Sequence, residues 1–401
     1  MLPESLNEQV IAFCKALAPG EIEKLVFKKQ VFSGIPNSWL ATQSSLQAIA
    51  AKKIPAWDKI PGLVYPDKEA LEQCTSEIVA SWKKSLVPKE TDLLADLSAG
   101  LGVDGFTLAA EISDLVLFEP DENRAEYLVQ NASKIRPSST KVICGPASDS
   151  DLETLVEGKK SPFFYVDPDR RNVEGKRLSH WRDCQPDVSR IYAVLKNTPA
   201  RLLVKFSPLD DPEEICAALL GAKEVYIVSV HNEVKEVLVL WDFSALTETT
   251  DYYACNLLRS GQLDCRKIPI QLSGRPLPGR AQKGHFLLDP WAALRKGRFS
   301  KCMAEEAGWT QISGNARLYS AADLPLFFPG RIFRIDDIID GLSSFGKQRS
   351  GMDFHVISRN FPETAEQIRK QFKWTERGND FIICFCNDAG EKVILKTKLL
   401  D

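Results

Sequence analysis

Apolar runs of strand length follow one another through the middle of the chain. Seven of them lie at residues 93–97, 115–119, 141–145, 163–167, 201–206, 224–230 and 236–241. The segments between the earlier runs are polar and compatible with helices. Strands that are apolar on both faces and alternate with helices predict a parallel sheet covered on both sides.

The last two runs are joined by only five residues, HNEVK. A helical crossover between parallel strands needs a dozen residues or more, so this pair is predicted to be antiparallel. A plain dinucleotide-binding domain would end in parallel strands. The pattern therefore predicts a seven-stranded α/β sheet with a reversed terminal pair.

Other patterns flank this sheet. Residues 1–70 predict an N-terminal helical region, and a second helix is expected from Glu72 to about Lys84. A Pro/Gly-rich linker (268–284) precedes HFLLDPWAALRKG, in which Asp289 is expected to cap a helix with Pro290 at its first position. The predicted divisions are 1–70, 71–245, 246–328 and 329–401, the last two being small α+β units.

The composition of the 401-residue chain is that of a soluble globular protein, with 44% hydrophobic and 26% charged residues. No apolar stretch is long enough to span a bilayer, and the first residues lack the pattern of a secretory signal. The 10 cysteines include no C-x-x-C pair, and none of the 4 histidines is spaced to join them in a zinc site. We therefore expect a cytoplasmic protein with reduced, mostly buried thiols and no metal.

Charge is distributed unevenly along the chain, whose formal net charge is −3. Residues 272–401 carry 20 Lys and Arg against 15 Asp and Glu, a net of +5, which leaves 31 against 39, a net of −8, for the remainder. A basic C-terminal part is compatible with a polyanionic partner, although an excess of this size also occurs on ordinary protein surfaces.

Behind the first apolar run stands Gly100-Leu101-Gly102-Val103-Asp104-Gly105, which matches the dinucleotide fingerprint G-x-G-x-x-G. In an open parallel sheet, ligands bind at the carboxyl ends of the strands, where the strand order reverses. Glycines at such a place let the backbone turn sharply and approach a ligand closely. The fingerprint therefore predicts a nucleotide-binding loop without specifying the nucleotide.

Two acidic residues bear on that choice. Glu119 ends the second run and is placed to accept bonds from both ribose hydroxyls of either nucleotide. Asp96 ends the first run, where its carboxylate suits a cationic ammonium group and opposes the pyrophosphate of NAD. The pair favours S-adenosylmethionine, whose methionine part carries that ammonium group. As isolated features, Asp96 could instead cap a helix and Glu119 could be a surface acid.

The fourth run ends in VDPDRR (166–171), which together with DLSAGLGVDGF and FEPDE resembles the class I Rossmann-fold methyltransferases. Further stretches narrow the resemblance to bacterial members with C-terminal ferredoxin-like and THUMP-like domains. These stretches are YPDKEALEQCTSE, LLVKFSPLDD, IVSVHNEVKEVLVLW, HFLLDPWAALRKG and GNARLYS. The resemblance covers nearly the whole chain and is strongest from 61 to 241. It implies a methyltransferase domain at 71–245 that uses S-adenosylmethionine, a ferredoxin-like domain within 246–328 and a THUMP-like domain at 329–401.

The resemblance also assigns the cofactor to particular residues. The segment EQCTSE (72–77) is similar to the upstream motif whose helix start covers the methionine end of the cofactor. After the third strand the family commonly has Gly-Asp, where this chain has Gly145-Pro146, so Ser148 or Asp149 is the candidate near the adenine. The cofactor-binding residues implied are Gln73, Thr75, Ser76, Asp96, Ser98, Gly100, Gly102, Asp104, Glu119, Pro120 and Asp149.

The DPDR segment implies the chemistry. Amino-methylating relatives hold the acceptor amine with an Asp or Asn oxygen and a backbone carbonyl, which Asp167 and Pro168 match. Arg170 replaces the aromatic residue that stacks on the base; its guanidinium plane could stack instead, and a salt-bridged loop accounts for it equally well. Uracil-5 methyltransferases also carry Asp-Pro-x-Arg, but they need a nucleophilic Cys after the fifth strand, where this chain reads KFSP (205–208).

The loop at 177–190 follows this motif and adds His180 and Trp181 near the expected acceptor. His180 is a base only if the substrate needs one. Trp181 could stack on a base, but a Trp beside Leu178 and Val188 more often packs in a core.

We expect the C-terminal part to contact the substrate, because THUMP domains usually present RNA to a catalytic domain. Phe372 or Trp374 could offer a face to a base. Basic residues that could follow phosphates are Arg349, Arg359, Arg369, Lys370, Lys373 and Arg377. The main hypothesis is a methyltransferase acting on structured RNA, tRNA or rRNA, at an exocyclic base amine. The alternatives are a non-catalytic RNA-binding protein with a degenerate methyltransferase core and an NAD oxidoreductase.

Overall fold

The computed structural model describes residues 2–136, 139–170, 180–245, 247–258 and 261–400. The helices are α1 (Glu8–Ala16), α2 (Pro19–Leu25), α3 (Asn37–Lys53), α4 (Pro55–Asp58), α5 (Lys68–Gln73), α6 (Glu77–Lys83), α7 (Val103–Leu108), α8 (Glu122–Ile135), α9 (Asp149–Val156), α10 (Val188–Leu195), α11 (Pro212–Ala218), α12 (Ala292–Arg295), α13 (Phe299–Ala307), α14 (Leu342–Gln348) and α15 (Ala365–Phe372). The strands are β1 (Leu93–Asp96), β2 (Asp114–Glu119), β3 (Thr140–Cys144), β4 (Pro162–Val166), β5 (Arg201–Phe206), β6 (Ala222–Val230), β7 (Glu233–Asp242), β8 (Asp251–Leu257), β9 (Leu263–Lys267), β10 (Phe286–Pro290), β11 (Thr310–Ser313), β12 (Leu318–Ala321), β13 (Gly330–Ile338), β14 (His355–Arg359), β15 (Asp380–Cys386) and β16 (Lys392–Leu400).

The chain forms two compact units. The first contains Met1–Val225 and Val237–Thr250, and the second contains Tyr226–Glu236 and Asp251–Asp401. The predicted N-terminal helical region is present in the first unit as α1 to α4. Its own small core holds side chains of α1, α2 and α3, among them Val10, Leu25 and Leu40.

The first sheet runs in the order β3-β2-β1-β4-β5-β7-β6-β8-β9. β1 pairs in parallel with β2 on one side and with β4 on the other, so the strand order reverses at β1. β7 lies antiparallel to β5. The predicted α/β sheet with a reversed terminal pair is therefore confirmed. The predicted count of seven strands was wrong, because the described residues add β8 and β9.

Burial explains why the apolar runs form strands. Every residue of β1 and of β4 is buried, as expected for central parallel strands covered on both faces. The connection between β6 and β7 consists of His231 and Asn232, which have φ angles of 50° and 63°. Two consecutive residues with positive φ make the tight turn that matches the twist of paired strands. The predicted five-residue connection was too long, since β7 begins at Glu233.

The added strands also hold a disulfide. Cys255 of β8 and Cys265 of β9 face each other in register, their Cα atoms are 4.0 Å apart, and their sulfurs are bonded at 2.03 Å. The expectation of reduced thiols was wrong for this pair. The polar residues of the 246–267 stretch concealed these two strands.

The predicted helix from Glu72 to Lys84 is two helices, α5 and α6, with a break at Cys74–Ser76. Ser76 has extended backbone angles at the start of α6. The side chain of Thr75 turns inward and donates to Asp104 at 2.6 Å. The hydrogen bond from Thr75 to Asp104 thus accompanies the break between α5 and α6.

In the second unit, a seven-stranded sheet has the order β11-β12-β10-β13-β16-β15-β14. It includes strands from both of the small units predicted at 246–328 and 329–401. Alternate residues of β15 serve two cores, with Phe381, Ile383 and Phe385 in one and Ile382 and Cys384 in the other.

Two expectations for the second unit were wrong. Phe372 and Trp374 are buried in its core, so neither offers a face to a base. Asp289 and Pro290 end β10, and α12 begins only after Trp291. Asp289 does not cap a helix because it lies opposite Arg331 in the sheet and bonds to it.

Candidate active site

The glycine loop lies where the strand order of the first sheet reverses. Its backbone is tied to both neighbouring strands, since the Leu97 amide donates to the Tyr165 carbonyl at 3.0 Å and the Ala99 amide donates to the Phe118 carbonyl at 2.9 Å. Gly100 and Gly102 have φ angles of 53° and 81°, a region that favours glycine. The fingerprint thus forms a turn held above the carboxyl ends of β1, β2 and β4.

The glycines of this loop meet different surroundings. A Cβ atom on Gly105 would lie 2.6 Å from Leu117 Cδ2 and 2.9 Å from Asp96 Oδ2, so this glycine lets α7 approach the sheet. A Cβ atom on Gly102 would lie 2.6 Å from a ring carbon of Phe106. A Cβ atom on Gly100 would meet nothing within 4 Å. Gly100 is therefore the position at which a ligand can come close to the backbone.

Glu119 is held by two backbone amides. Gly100 donates to its Oε2 at 2.8 Å and Asp121 donates to its Oε1 at 2.9 Å. The residue is only 6% exposed. Burial raises the pKa of Glu119, although both amide bonds act to lower it. Each carboxylate oxygen can accept two bonds and accepts one from these amides, so each keeps capacity for a hydroxyl donor.

Asp96 lies beneath the loop and is 1% exposed. Its Oδ1 accepts the Ser98 amide at 3.0 Å. Burial is the main reason that the pKa of Asp96 is raised to about 8; the nearby carboxyl groups of Asp104, Asp167 and Glu119 contribute to the rise, and the bond from the Ser98 amide opposes it. The raised pKa favours the neutral acid, and a cation bound beside it would favour ionisation.

Behind the loop is a buried polar network that joins α6, α7 and β4. Lys83 is fully buried, and its Nζ lies 3.1 Å from Asp104 Oδ1, 3.2 Å from the Tyr165 hydroxyl and 3.3 Å from Thr75 Oγ1. Thr75 and Tyr165 both donate to Asp104 Oδ2, at 2.6 and 2.9 Å. Burial acts to raise the pKa of Asp104, but the ammonium groups of Lys83 and Lys205 and these bonds lower it overall. Thr75 and Asp104, two of the expected cofactor residues, thus bond to each other and hold helices in place.

Ser98 and Asp167 connect the glycine loop to the end of β4. The Asp167 amide donates to Ser98 Oγ at 2.6 Å. The Asp167 carboxylate is partly exposed, and its Oδ2 accepts a bond of 2.6 Å from Lys205 Nζ on β5. The expected catalytic Asp167 and the expected cofactor residues Asp96, Ser98, Gly100 and Glu119 are therefore neighbours at one sheet edge.

The rest of the DPDR segment is directed elsewhere. Pro168 is buried and Asp169 is exposed, with its amide bonded to the Gln185 carbonyl at 2.7 Å. Arg170 donates to Ser207 and pairs with Asp210 at 3.8 Å in the loop after β5. Its guanidinium group is thus held in the salt-bridged loop that the sequence left open as an alternative.

Four expected cofactor residues lie nearer the surface. Gln73 donates to Glu69 at 3.0 Å at the exposed end of α5, and Ser76 precedes α6. Pro120 is exposed beside Glu119. Asp149 begins α9 and pairs with Arg190 at 2.6 Å. Arg171 of the VDPDRR segment and residues 177–179 of the following loop lie outside the described residues.

The two aromatic candidates of that loop have partners. His180 Nε2 lies 3.1 Å from Glu214 Oε1. Trp181 is buried and packs edge-on against Phe206, with ring centroids 5.8 Å apart. Trp181 therefore has a core position.

A groove of about 590 Å³ lies between the end of α3 and the start of α6. It is lined by Ala48, Ile49, Lys52, Lys53, Pro55, Ser76, Glu77 and Ile78. Burial, and to a smaller degree the charge of Lys205, lowers the pKa of Lys53. The groove shares Ser76 with the expected cofactor residues.

Lys205 is the site residue that sequence reasoning missed. Its signal was a charged residue in the interior of the apolar run RLLVKF, where a central strand would otherwise carry apolar side chains. Lys83 gave a weaker signal, because a lysine near a helix end is usually solvated.

Two kinds of feature are absent within the described ranges. No group of three or more His, Cys, Asp or Glu side chains is arranged to hold a metal ion. No helix in the described part of the chain combines the length and apolar character needed to cross a membrane.

Comparison with solved structures identifies the fold. A protein of Porphyromonas gingivalis W83 that is provisionally named a methyltransferase matches at a TM-score of 0.82 with 24% identity, over 100% of both chains. An O-methyltransferase from Bacillus cereus, solved with S-adenosylhomocysteine, is 14% identical over 58% of this chain and 95% of its own, at a TM-score of 0.33. An rRNA methylase from Streptococcus thermophilus is 16% identical over 40% of this chain and 93% of its own, at a TM-score of 0.28.

The full-length match shows that the chain has a methyltransferase fold. At 24% identity, the likeness to the Porphyromonas protein establishes fold and no more. No protein-family model matches the sequence, and a search of curated proteins also finds no match.

Proposed function

We propose that the chain is an S-adenosylmethionine-dependent methyltransferase that acts on structured RNA at an exocyclic base amine. The proposal depends on one observation. The Gly100 amide donates to Glu119 at 2.8 Å, which fixes an open glycine turn beside acidic groups at two adjacent strand ends. This edge of the sheet is where nucleotide ligands of parallel α/β folds bind.

The groups at this edge suit the cofactor better than NAD. Gly100 leaves space for a ligand, and Glu119 retains acceptor capacity for ribose hydroxyls. Asp167 and Glu119, joined by Asp96 if it ionises beside a cation, make the region acidic, which favours an ammonium group and disfavours a pyrophosphate. Asp96 is nearly inaccessible. The ammonium group would therefore have to approach the carboxyl group from its Oδ1 side, beside Ser98.

When bound, S-adenosylmethionine supplies a methyl group on a cationic sulfonium, and its transfer is a direct displacement governed by alignment. Asp167 and the Pro168 carbonyl would accept the two N–H bonds of the acceptor amine and so direct its lone pair. Lys205 holds Asp167 Oδ2 at 2.6 Å, which leaves Oδ1 for the amine and for the proton that it releases. Ser98 fixes the backbone at the same residue.

The choice of RNA rests on the resemblance of the DPDR segment and of the C-terminal region to RNA-modifying enzymes. The net charge of +5 over residues 272–401 favours a polyanion. Lys52 and Lys53 line the groove that includes Ser76 and suit a substrate that carries phosphates. The resemblance also implies ferredoxin-like and THUMP-like domains in this region.

Calorimetric titration tests the cofactor. S-adenosylhomocysteine is expected to bind and NAD is not. At pH 7, S-adenosylhomocysteine should release a proton as Asp96 ionises, which appears as a dependence of the binding heat on the ionisation enthalpy of the buffer. Binding of NAD alone, or of neither compound, would reject the methyltransferase assignment.

Mass spectrometry of nucleosides tests the acceptor. Total RNA from cells with and without the protein should differ by one N-methylated nucleoside. The same nucleoside should form when the purified protein and S-adenosylmethionine are added to RNA from cells that lack the protein. A methylated protein or small molecule in place of RNA would refute the RNA assignment and leave the cofactor assignment intact.

A non-catalytic RNA-binding protein is the second candidate. It is favoured because both charged side chains expected in catalysis are already paired. Asp167 bonds to Lys205, and Arg170 bonds to Ser207 and pairs with Asp210. RNA binding without any binding of S-adenosylhomocysteine would support this candidate.

A further inference from the structure

Asp289 is a buried carboxylate surrounded by three arginines of the second unit. Its side chain is 1% exposed. Arg331 donates to Oδ2 through Nε at 3.1 Å and through Nη2 at 2.7 Å. Arg359 donates to both oxygens, to Oδ2 at 2.9 Å. Arg295 Nη1 lies 3.4 Å from Oδ1.

The three arginines come from different parts of the second sheet. Arg331 faces Asp289 across the β10–β13 pair, Arg295 ends α12, and Arg359 ends β14. Three strands separate β10 from β14 in the sheet order, a flat distance of about 19 Å at the usual spacing. An arginine cannot span that distance, so the sheet curls to bring Arg359 to Asp289. The fold thus assembles this cluster, which we call the arginine cluster.

The arginine cluster carries more positive charge than its carboxylate neutralises. Three guanidinium groups and one carboxylate leave a net charge of about +2. Burial, followed by the repulsion of Arg359, lowers the pKa of Arg295 to about 10, and Arg331 and Arg317 add to that repulsion. A second anion bound next to the cluster would reduce the repulsion among the three guanidinium groups.

Arg331 is the member that such an anion can reach. Its side chain is 36% exposed, against 20% for Arg295 and 15% for Arg359. Nε and Nη2 are bonded to Asp289, and among the described residues Nη1 makes no hydrogen bond. Asp289 thereby fixes the guanidinium plane while part of its donor fork remains available.

We propose that the arginine cluster is a binding site for a phosphate group. Guanidinium forks match the spacing of phosphate oxygens, and arginines that are already oriented lose little freedom on binding. The proposal concerns the second unit and does not depend on methyl transfer or on the cofactor. A free phosphate and a phosphodiester of RNA would present the same chemistry.

Calorimetry of the full-length chain with inorganic phosphate, in a buffer without other oxyanions, tests the site. We expect saturable binding by the natural chain and a loss of affinity of about tenfold or more in Arg331→Ala. The matched control is Arg334→Ala, which removes the same charge from an exposed position three residues along β13. Arg334 pairs with Asp336 and should leave phosphate affinity unchanged.

Two results would overturn the proposal. One is the absence of saturable phosphate binding by the natural chain. The other is an equal loss of affinity in Arg331→Ala and Arg334→Ala, which would show a general charge effect. If Arg331→Ala does not fold, Arg331→Lys replaces it and should also lose phosphate affinity, because lysine keeps the charge but lacks the paired donors of the guanidinium group.

A short RNA identifies the source of the phosphate. If the phosphate belongs to RNA, the RNA should compete with inorganic phosphate, and Arg331→Ala should reduce the salt dependence of RNA binding by about one unit of slope. If the ligand is a free phosphate compound, inorganic phosphate should bind and RNA should not compete. Both results support a phosphate site and distinguish its ligand.

Discussion

At Asp96, burial and three neighbouring carboxyl groups oppose ionisation and raise the pKa from 3.8 to about 8. Between these two values the folded state holds a proton that the unfolded state has lost. The contribution of Asp96 to the free energy of unfolding therefore falls as the pH rises through this window. A carboxyl group that is costly at neutral pH is typical of a binding site.

Asp96→Asn should remove that pH dependence. We expect the free energy of unfolding of the variant, relative to the natural chain, to increase from pH 5 to pH 8 by up to about 1.4 kcal/mol per pH unit. Urea unfolding at several pH values measures the difference. A difference that stays constant with pH would show that Asp96 is already ionised in the folded chain.

Substitution of Asp167 tests its catalytic role, and substitution of the nearby Asp169 is the matched control. Asp167→Ala should reduce turnover by about 100-fold or more, because it removes the oxygen that orients the acceptor, and should change the affinity for S-adenosylhomocysteine little. Asp169→Ala removes an exposed carboxylate two residues away and should leave turnover close to that of the natural chain. Methyl transfer to RNA and calorimetry measure the two quantities. A parallel loss of affinity and turnover in Asp167→Ala would place this residue in cofactor binding.

At the scale of elements, the network of Thr75, Lys83, Asp104 and Tyr165 joins two helices to the central sheet. A buried charge pair contributes little beyond an apolar pair, but the loss of one partner leaves the other unpaired. This network therefore holds α6 and α7 in place, and the removal of any one of its side chains should strongly lower the free energy of unfolding.

Adjacent lysines test that statement. Lys83→Met should lower the free energy of unfolding by about 3–5 kcal/mol, because Asp104 is left buried without its cation. Lys84→Met breaks the exposed pair with Glu111 and should cost at most about 1 kcal/mol. Chemical denaturation measures both. Equal effects would mean that Asp104 finds another partner or takes up a proton.

Elements were predicted well where burial dominates. The runs that became β1, β2, β4, β5 and β7 are apolar because both faces of a central strand are covered, and this pattern is visible in the sequence. β8 and β9 were missed because polar residues surround them in the stretch after Trp241. The break between α5 and α6 was missed because Thr75 bonds to Asp104, which is 29 residues further along the chain. Local patterns do not carry information about such distant partners.

At the scale of the whole molecule, the two proposed sites lie in different units. S-adenosylhomocysteine should therefore slow amide hydrogen exchange in residues 97–104 and near Asp121, and should leave residues 286–400 unchanged. Inorganic phosphate should slow exchange near Arg295, Arg331 and Arg359. Mass spectrometry of peptides from the full-length chain measures both maps. Protection of residues 286–400 by S-adenosylhomocysteine alone would contradict the separation of the sites.

The sequence by itself determined the order of the central strands' apolar runs, the reversed terminal pair and the glycine turn between Asp96 and Glu119. Each of these depends on residues close together in the chain, so periodicity and spacing reveal them. Only the tertiary structure decided that Lys205 holds Asp167, that Lys83 neutralises Asp104, that Phe372 and Trp374 are buried, and that Asp289 collects three arginines. These outcomes depend on which charged and aromatic side chains meet after the chain has folded, since a buried charge must find a partner wherever the fold supplies one.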